Sequence, residues 1–325
     1  MSGHQPGLSG AAHALGIHHA RLEDEGDPLV SLNDISEIEL LILRRMREVT
    51  IGEHGSLAHG PGFNYVGLRD WQAGDRFSSI DWAQSTLTNF SPLIVREYEQ
   101  PSTATVVAVA DASLSTRCGV GGVPLAATVA RAVATLGMSA VFFQDLFGLM
   151  TFDTGVQSLA AVRPRVGRNQ VVHCLDAYQY GRGLEPITDA GSLSMTLASF
   201  LRRTALVPFI SDFLFEQPEA VLQELSLLSA AHDVFVVLVD AAWAFETPAV
   251  ADGWIDAADA ETGRTVTLSR GGLARLAGRV RDWQDDVARL ARAADLDVIR
   301  LGVDSATADL SLAEFVAERR LRKVA

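Results

Sequence analysis

Three apolar runs decide what this chain can fold into: VVAVA at 106–110, VPFIS at 207–211 and VFVVLV at 234–239. Each is followed directly by an aspartate, Asp111, Asp212 and Asp240. Small and β-branched residues without polar alternation mark strands covered on both faces. The stretches between them change to helical spacing. In 123–145, Leu125, Val129, Ala132 and Leu136 line one face, with Pro124 near the first turn. Further helices are expected over 169–180, 192–203, 218–232, 272–295 and 307–325. LFGLMTFD at 146–153 and VQSLAAV at 156–162 lie too close for a crossover, so they form an antiparallel pair. LDVIRLGV at 296–303 is the last strand. Strand and helix therefore alternate through 101–325, which predicts an α/β fold. It is a doubly wound, mostly parallel sheet with one antiparallel edge strand and a hairpin insertion near 253–268.

The N-terminal third follows other rules. Residues 1–30 are rich in Gly, His and small side chains and read as a flexible tail. From Ser31, apolar residues recur at 32, 35, 38, 41, 42 and 46, the mark of an amphipathic helix. Residues 49–100 carry many glycines and short apolar pieces, so 31–100 is expected to hold a helix and short strands, either packed on the main domain or forming a small subdomain. Within it Asp75 and Asp81, with Arg69 and Arg96 nearby, suit a structural ion-pair network.

In open α/β sheets ligands bind beyond the carboxyl ends of the strands, where strand order reverses. With the strands ending at Asp111 and Asp212 adjacent there, the two carboxylates face each other across the crevice. Ser113 and Ser115 stand on the same rim, and Thr188, or Ser192 or Thr196 near it, completes the ring. Two carboxylates and three hydroxyls are all hard oxygen donors. They suit a divalent cation, Mg²⁺ first, with Mn²⁺ and Ca²⁺ as alternatives. With few charged ligands such a site keeps a coordination position open for an oxygen from a partner. The competing reading is that Asp111, Ser113 and Ser115 only cap the turn that follows the strand.

Charge and composition narrow the partners. The net charge of −13 disfavours nucleic acid and anionic membrane surfaces. Cys118 and Cys174 are too few for a disulfide framework or thiolate zinc site, which points to a reducing compartment. The longest uninterrupted apolar runs are strand-length, and the first 30 residues lack a basic start followed by an apolar run. A soluble, cytoplasmic protein without a membrane span is expected. Gly119, Gly121 and Gly122 make no dinucleotide fingerprint, because Pro124 stands where a third glycine is needed, and no P-loop is present. An Asp111 nucleophile would need an acid two residues on, where Ser113 stands, so no catalytic constellation is convincing.

DASLS at 111–115 resembles the first part of the metal-ion-dependent adhesion site of von Willebrand factor A-type domains. Thr188 and Asp212, in FISDF, match its later threonine and aspartate. The segment 52–99 resembles a bacterial family catalogued as domain of unknown function fifty-eight. That match rests on Gly60, Gly62, GLRDW at 67–71, Gly74-Asp75, IDW at 80–82 and VREYE at 95–99. DLFGLMTF, LVPFISDFL and DAETG continue the likeness to about residue 270. The resemblance implies a von Willebrand factor A-like domain in which Ser113, Ser115 and Thr188 touch the metal and Asp111 and Asp212 act through water. It also implies a non-catalytic adaptor working with a MoxR-type AAA+ ATPase in chaperone-like assembly or maturation. A metal-dependent hydrolase using Asp111 and Asp212, and a scaffold with a vestigial site, are the alternatives.

Overall fold

A computed structural model describes residues 27–53, 64–72, 75, 77, 80–99, 103–120, 123–153, 159–187, 192–245, 254–258, 265–302 and 305–322. The chain divides into two compact units, one of Met1–Arg45 with Ala104–Ala325 and one of Met46–Thr103. The division falls within the first helix, α1 (Leu32–Glu53).

In the smaller unit, β1 (Asn64–Asp70) precedes a short helix, α2 (Trp82–Leu87), and pairs antiparallel with β2 (Ile94–Glu99). Asp81 caps α2, accepting from the amides of Ala83 at 3.0 Å and Gln84 at 3.1 Å. Arg69 grips Asp75 with both terminal nitrogens, at 2.7 and 2.8 Å, which holds that carboxyl down to about 2. Of the expected ion-pair network, Arg69 and Asp75 form a bidentate pair, and Asp81 serves as a helix cap; the Arg96 side chain lies outside the description. The glycines at 60, 62 and 74 lie outside the described residues.

The larger unit is built on one sheet. Its elements run β3 (Thr105–Asp111), β4 (Gly119–Val120), β5 (Val123–Pro124), α3 (Leu125–Phe142), β6 (Leu146–Phe152), β7 (Leu159–Arg165), α4 (Arg168–Tyr180), β8 (Glu185–Pro186) and α5 (Leu193–Phe200). They continue with β9 (Ala205–Ser211), α6 (Pro218–Ser229), β10 (Asp233–Val239), β11 (Trp254–Ala258), β12 (Thr265–Ser269), α7 (Arg270–Ala293), β13 (Asp297–Leu301) and α8 (Ser305–Arg322). The sheet order is β13-β10-β9-β3-β6-β7-β8. Strands β13, β10, β9, β3 and β6 are parallel, and β7 runs antiparallel to β6. The mostly parallel sheet with an antiparallel edge is as the sequence predicts. Two residues of β8 extend that edge, a pairing too short to leave a periodic signal. Strands β11 and β12 pair antiparallel from Trp254↔Ser269 to Ala258↔Thr265; the connecting turn lies outside the described residues.

The absence of polar alternation has its cause in burial. Every residue of β9 is buried, as are β3 after Thr105 and β10 after Asp233. Phe152 stacks on Phe209 across the sheet face, with ring centroids 4.9 Å apart. Among the described residues α3 is the one helix long and apolar enough to cross a membrane, and 72% of it is buried inside the protein. Thr128, Arg131 and Thr135 interrupt its apolar residues, so no contiguous run reveals it. At Gly137 a Cβ would stand 2.8 Å from Cγ1 of Val171, so the missing side chain lets α3 and α4 approach closely.

Pro124 ends β5 and caps α3 from outside with extended backbone, where the sequence suggests a first-turn proline. The reason is the antiparallel pairing of β4 with β5: Gly119 pairs with Pro124, and the Leu125 amide donates to the Cys118 carbonyl at 2.8 Å. A Cβ at Gly119 would fall 1.8 Å from the Val123 carbonyl oxygen, so only glycine fits at this position.

Candidate metal centre

The chain leaves β3 toward β6, β7 and β8 on one side and returns to β9, β10 and β13 on the other. The reversal point therefore lies between β3 and β9, where a parallel sheet opens its ligand crevice. Asp111 is the last residue of β3, and Asp212 follows the last residue of β9. The register Ala110↔Ile210 carries Ser211 alongside Asp111 and Asp212 just beyond it.

Asp111 is wholly buried. One carboxylate oxygen, Oδ1, accepts from the Ser113 amide at 2.9 Å, and the other accepts from the Ser211 hydroxyl at 2.6 Å. Its carbonyl accepts from the Tyr178 hydroxyl at 2.7 Å. The chain then turns through a 3₁₀ segment, Leu114–Arg117, which puts the Ser113 and Ser115 hydroxyls 2.9 Å apart. Thr116 locks the turn by donating to the Ser113 carbonyl at 2.7 Å. Alternate residues thus converge because the turn folds on its own carboxylate.

Asp212 is 1% exposed. Its Oδ1 accepts from the Leu214 amide at 2.9 Å, but its Oδ2 is buried with no hydrogen-bond partner. Leaving such an atom unpaired costs about 1–3 kcal/mol, more when it is charged. Ser115 stands close enough to favour the charged form of Asp212, without reaching Oδ2 in good geometry. Burial, reinforced by Asp111, pushes Asp212 up to about 7. Burial also raises Asp111 against the Ser113 and Ser211 hydrogen bonds, and exposed Asp153 adds to the rise.

Four of the five residues singled out from the sequence thus share this edge. The fifth, Thr188, lies outside the described residues. The two alternatives to it are engaged locally: Ser192 caps α5 through the Met195 amide, and buried Thr196 donates to the Ser192 carbonyl at 2.8 Å. Asp240 accepts from the Ala242 amide at 2.9 Å and terminates its strand. Ser211, Tyr178, Gln284 and Trp283 complete the surroundings, and sequence reasoning missed all four. Only Ser211 left a signal, as the hydroxyl beside the strand-terminal aspartate.

The donor set fits a hard cation. All its atoms are oxygens, and one carboxylate oxygen is unclaimed. Among the described residues no group of three or more His, Cys, Asp or Glu side chains gathers as an alternative metal site.

The sign of the pH dependence follows. Between pH 4 and 7 the folded protein keeps a proton on Asp212 that the unfolded chain has released. This contribution to stability is full below pH 4 and drains away as pH rises toward 7 and beyond. In EDTA, melting temperature should therefore fall from pH 5.5 to pH 8, and Asp212→Asn should flatten the slope. Parallel melting curves for the two proteins would contradict this.

A family model described as "Protein of unknown function DUF58" matches residues 67–283. The chain is also similar to the crystal structure of conserved hypothetical protein BatB from Bacteroides thetaiotaomicron. The two are 13% identical over 67% of this chain and 98% of that one, with a TM-score of 0.38. A second similar structure is an aerotolerance-related membrane protein from Bacteroides fragilis NCTC 9343 with multiple mutations to serines. It is 12% identical over 67% of this chain and all of that one, with a TM-score of 0.40. No curated protein matches the chain.

Proposed function

Since the chain belongs to the DUF58 family of unknown function, we propose that it is a metal-dependent protein-interaction adaptor with a von Willebrand factor A-like domain. Ser113, Ser115 and Thr188 would hold the cation directly, with Asp111 and Asp212 acting through water. Mg²⁺ suits these donors best, and Mn²⁺ or Ca²⁺ would serve as substitutes. When bound, the cation supplies a Lewis-acidic position that accepts a carboxylate oxygen from a protein partner. The chain's own groups do the rest: Ser211 and the Ser113 amide orient Asp111, and burial keeps bulk water from the two acids. The observation that carries this reading is the unpartnered, buried Oδ2 of Asp212 beside a second buried carboxylate.

The partner we propose is a MoxR-type AAA+ ATPase or its client, engaged in the cytoplasm in chaperone-like assembly or maturation. ATP hydrolysis belongs to that partner, and the chain itself is not an enzyme. The test is binding to the cognate ATPase in Mg²⁺, in EDTA and with Asp111→Ala. Affinity should drop at least about tenfold in the latter two, since a cation bridge and its anchoring carboxylate are lost. Equal binding in all three conditions would overturn the bridge.

Asp212, pushed to about 7, has the property of a general acid or base, which favours a second reading as a metal-dependent hydrolase. Phosphoester or peptide turnover in Mg²⁺ that disappears with Asp111→Asn would support it.

A further inference from the structure

Helix α7 gives no oxygen to the proposed cation site, yet two consecutive side chains on it hold the Asp212 corner. Gln284, 3% exposed, donates from Nε2 to the carbonyls of Asp212 at 2.9 Å and Val239 at 2.8 Å. Its Oε1 accepts from the Ala241 amide at 3.3 Å. One buried amide thereby joins the ends of β9 and β10. Beside it, Trp283 donates its indole N–H to the Phe213 carbonyl at 2.8 Å. Phe213 has φ of 56°, the left-handed region, which costs a non-glycine residue about 1–2 kcal/mol. From the other side, the Phe213 amide donates to the Ser211 hydroxyl at 2.9 Å. Both polar backbone groups of a strained residue are thus held by side chains. The residue before it carries the unclaimed carboxylate oxygen.

We propose that Gln284 and Trp283 are positioning residues for Asp212. They keep the 211–214 corner in the conformation that leaves Oδ2 buried and free, so that a water carried by the cation finds its acceptor already placed. Without them the corner relaxes, Oδ2 turns to bulk solvent or a backbone amide, and binding must first reorder the loop. This inference rests on the cation reading of Asp212 made above.

The test measures Mn²⁺ binding by paramagnetic resonance titration, beside thermal melting, for the full chain and three variants. Trp283→Phe keeps the ring and removes the N–H; Gln284→Met keeps the length and removes the amide. Val287→Ala, buried one turn further along α7 with an apolar side chain that takes no part in the corner's hydrogen bonds, is a control that loses stability. Trp283→Phe should weaken Mn²⁺ about threefold or more and Gln284→Met about tenfold or more, as partners behind metal ligands do. Val287→Ala should stay within about twofold of the parent at comparable loss of stability. Parent and both corner variants binding alike would overturn the positioning role alone. Equal weakening in Val287→Ala would trace the effect to global stability and overturn it too. A parent that binds no Mn²⁺ would overturn the cation reading and this inference together.

Discussion

Asp212→Asn should stabilise the metal-free protein and abolish its response to Mg²⁺. The expectation follows from the two carboxyl oxygens being unequal. Oδ1 accepts from the Leu214 amide, so the asparagine carbonyl takes that place and its NH₂ falls where Oδ2 now lies unpartnered. A donor then replaces an acceptor beside Asp111, and a buried negative charge is removed. In EDTA at pH 8 the melting temperature should rise by several degrees, at about 2–4 °C per kcal/mol for a domain of this size. For the parent, Mg²⁺ at about 100 times its dissociation constant adds about 2.7 kcal/mol, whereas the variant should not respond. A variant that melts below the parent in EDTA, or still shifts with Mg²⁺, would refute the account.

A second large effect is expected far from that crevice. Arg131 on α3 donates from Nε to Asp309 of α8 at 2.8 Å and reaches Asp34 of α1 at 3.3 Å. Thr135 donates to the other Asp309 oxygen at 2.9 Å. Asp309 is 3% exposed, and burial raises its carboxyl even against the pull of Arg131. Arg131→Met leaves that acid buried without its cation and should cost about 3–5 kcal/mol in urea unfolding. The deficit should be larger at pH 8 than at pH 5, because a protonated Asp309 tolerates the loss and an ionised one does not. Arg131→Met with Asp309→Leu should recover much of the stability, since a hydrophobic pair of similar volume replaces the ionic one. A single-variant deficit below about 1 kcal/mol, or a double variant no better than the single, would show the pair to be dispensable.

How far the sequence reveals this molecule depends on whether a residue's role is local. The parallel sheet is legible because β3, β9 and β10 are buried on both faces, which forces unbroken apolar runs. The turn around Asp111 is legible too, since Ser113 and Ser115 answer to a carboxylate two and four residues away. Gln284 and Trp283 are not. They lie on a helix whose charged neighbours, Asp282, Asp285 and Asp286, read as a solvated face. Their partners are 72 and 70 residues distant. Ser211 falls between these cases: the strand places it, but its bond to Asp111 depends on β9 lying beside β3.

The pairing of β3 with β9 also has a consequence for biosynthesis. Asp111 and Ser211 are separated by 100 positions, and β6, β7 and α4 are translated between them. A nascent chain halted before residue 205 contains β3, α3 and β6 but carries only the Asp111 half of the crevice. The ribosome must deliver β9 before the second carboxylate arrives, and Gln284 of α7 emerges later still. Cation capture would therefore be among the last events of maturation, and a ribosome-bound intermediate would be blind to Mg²⁺ at this site.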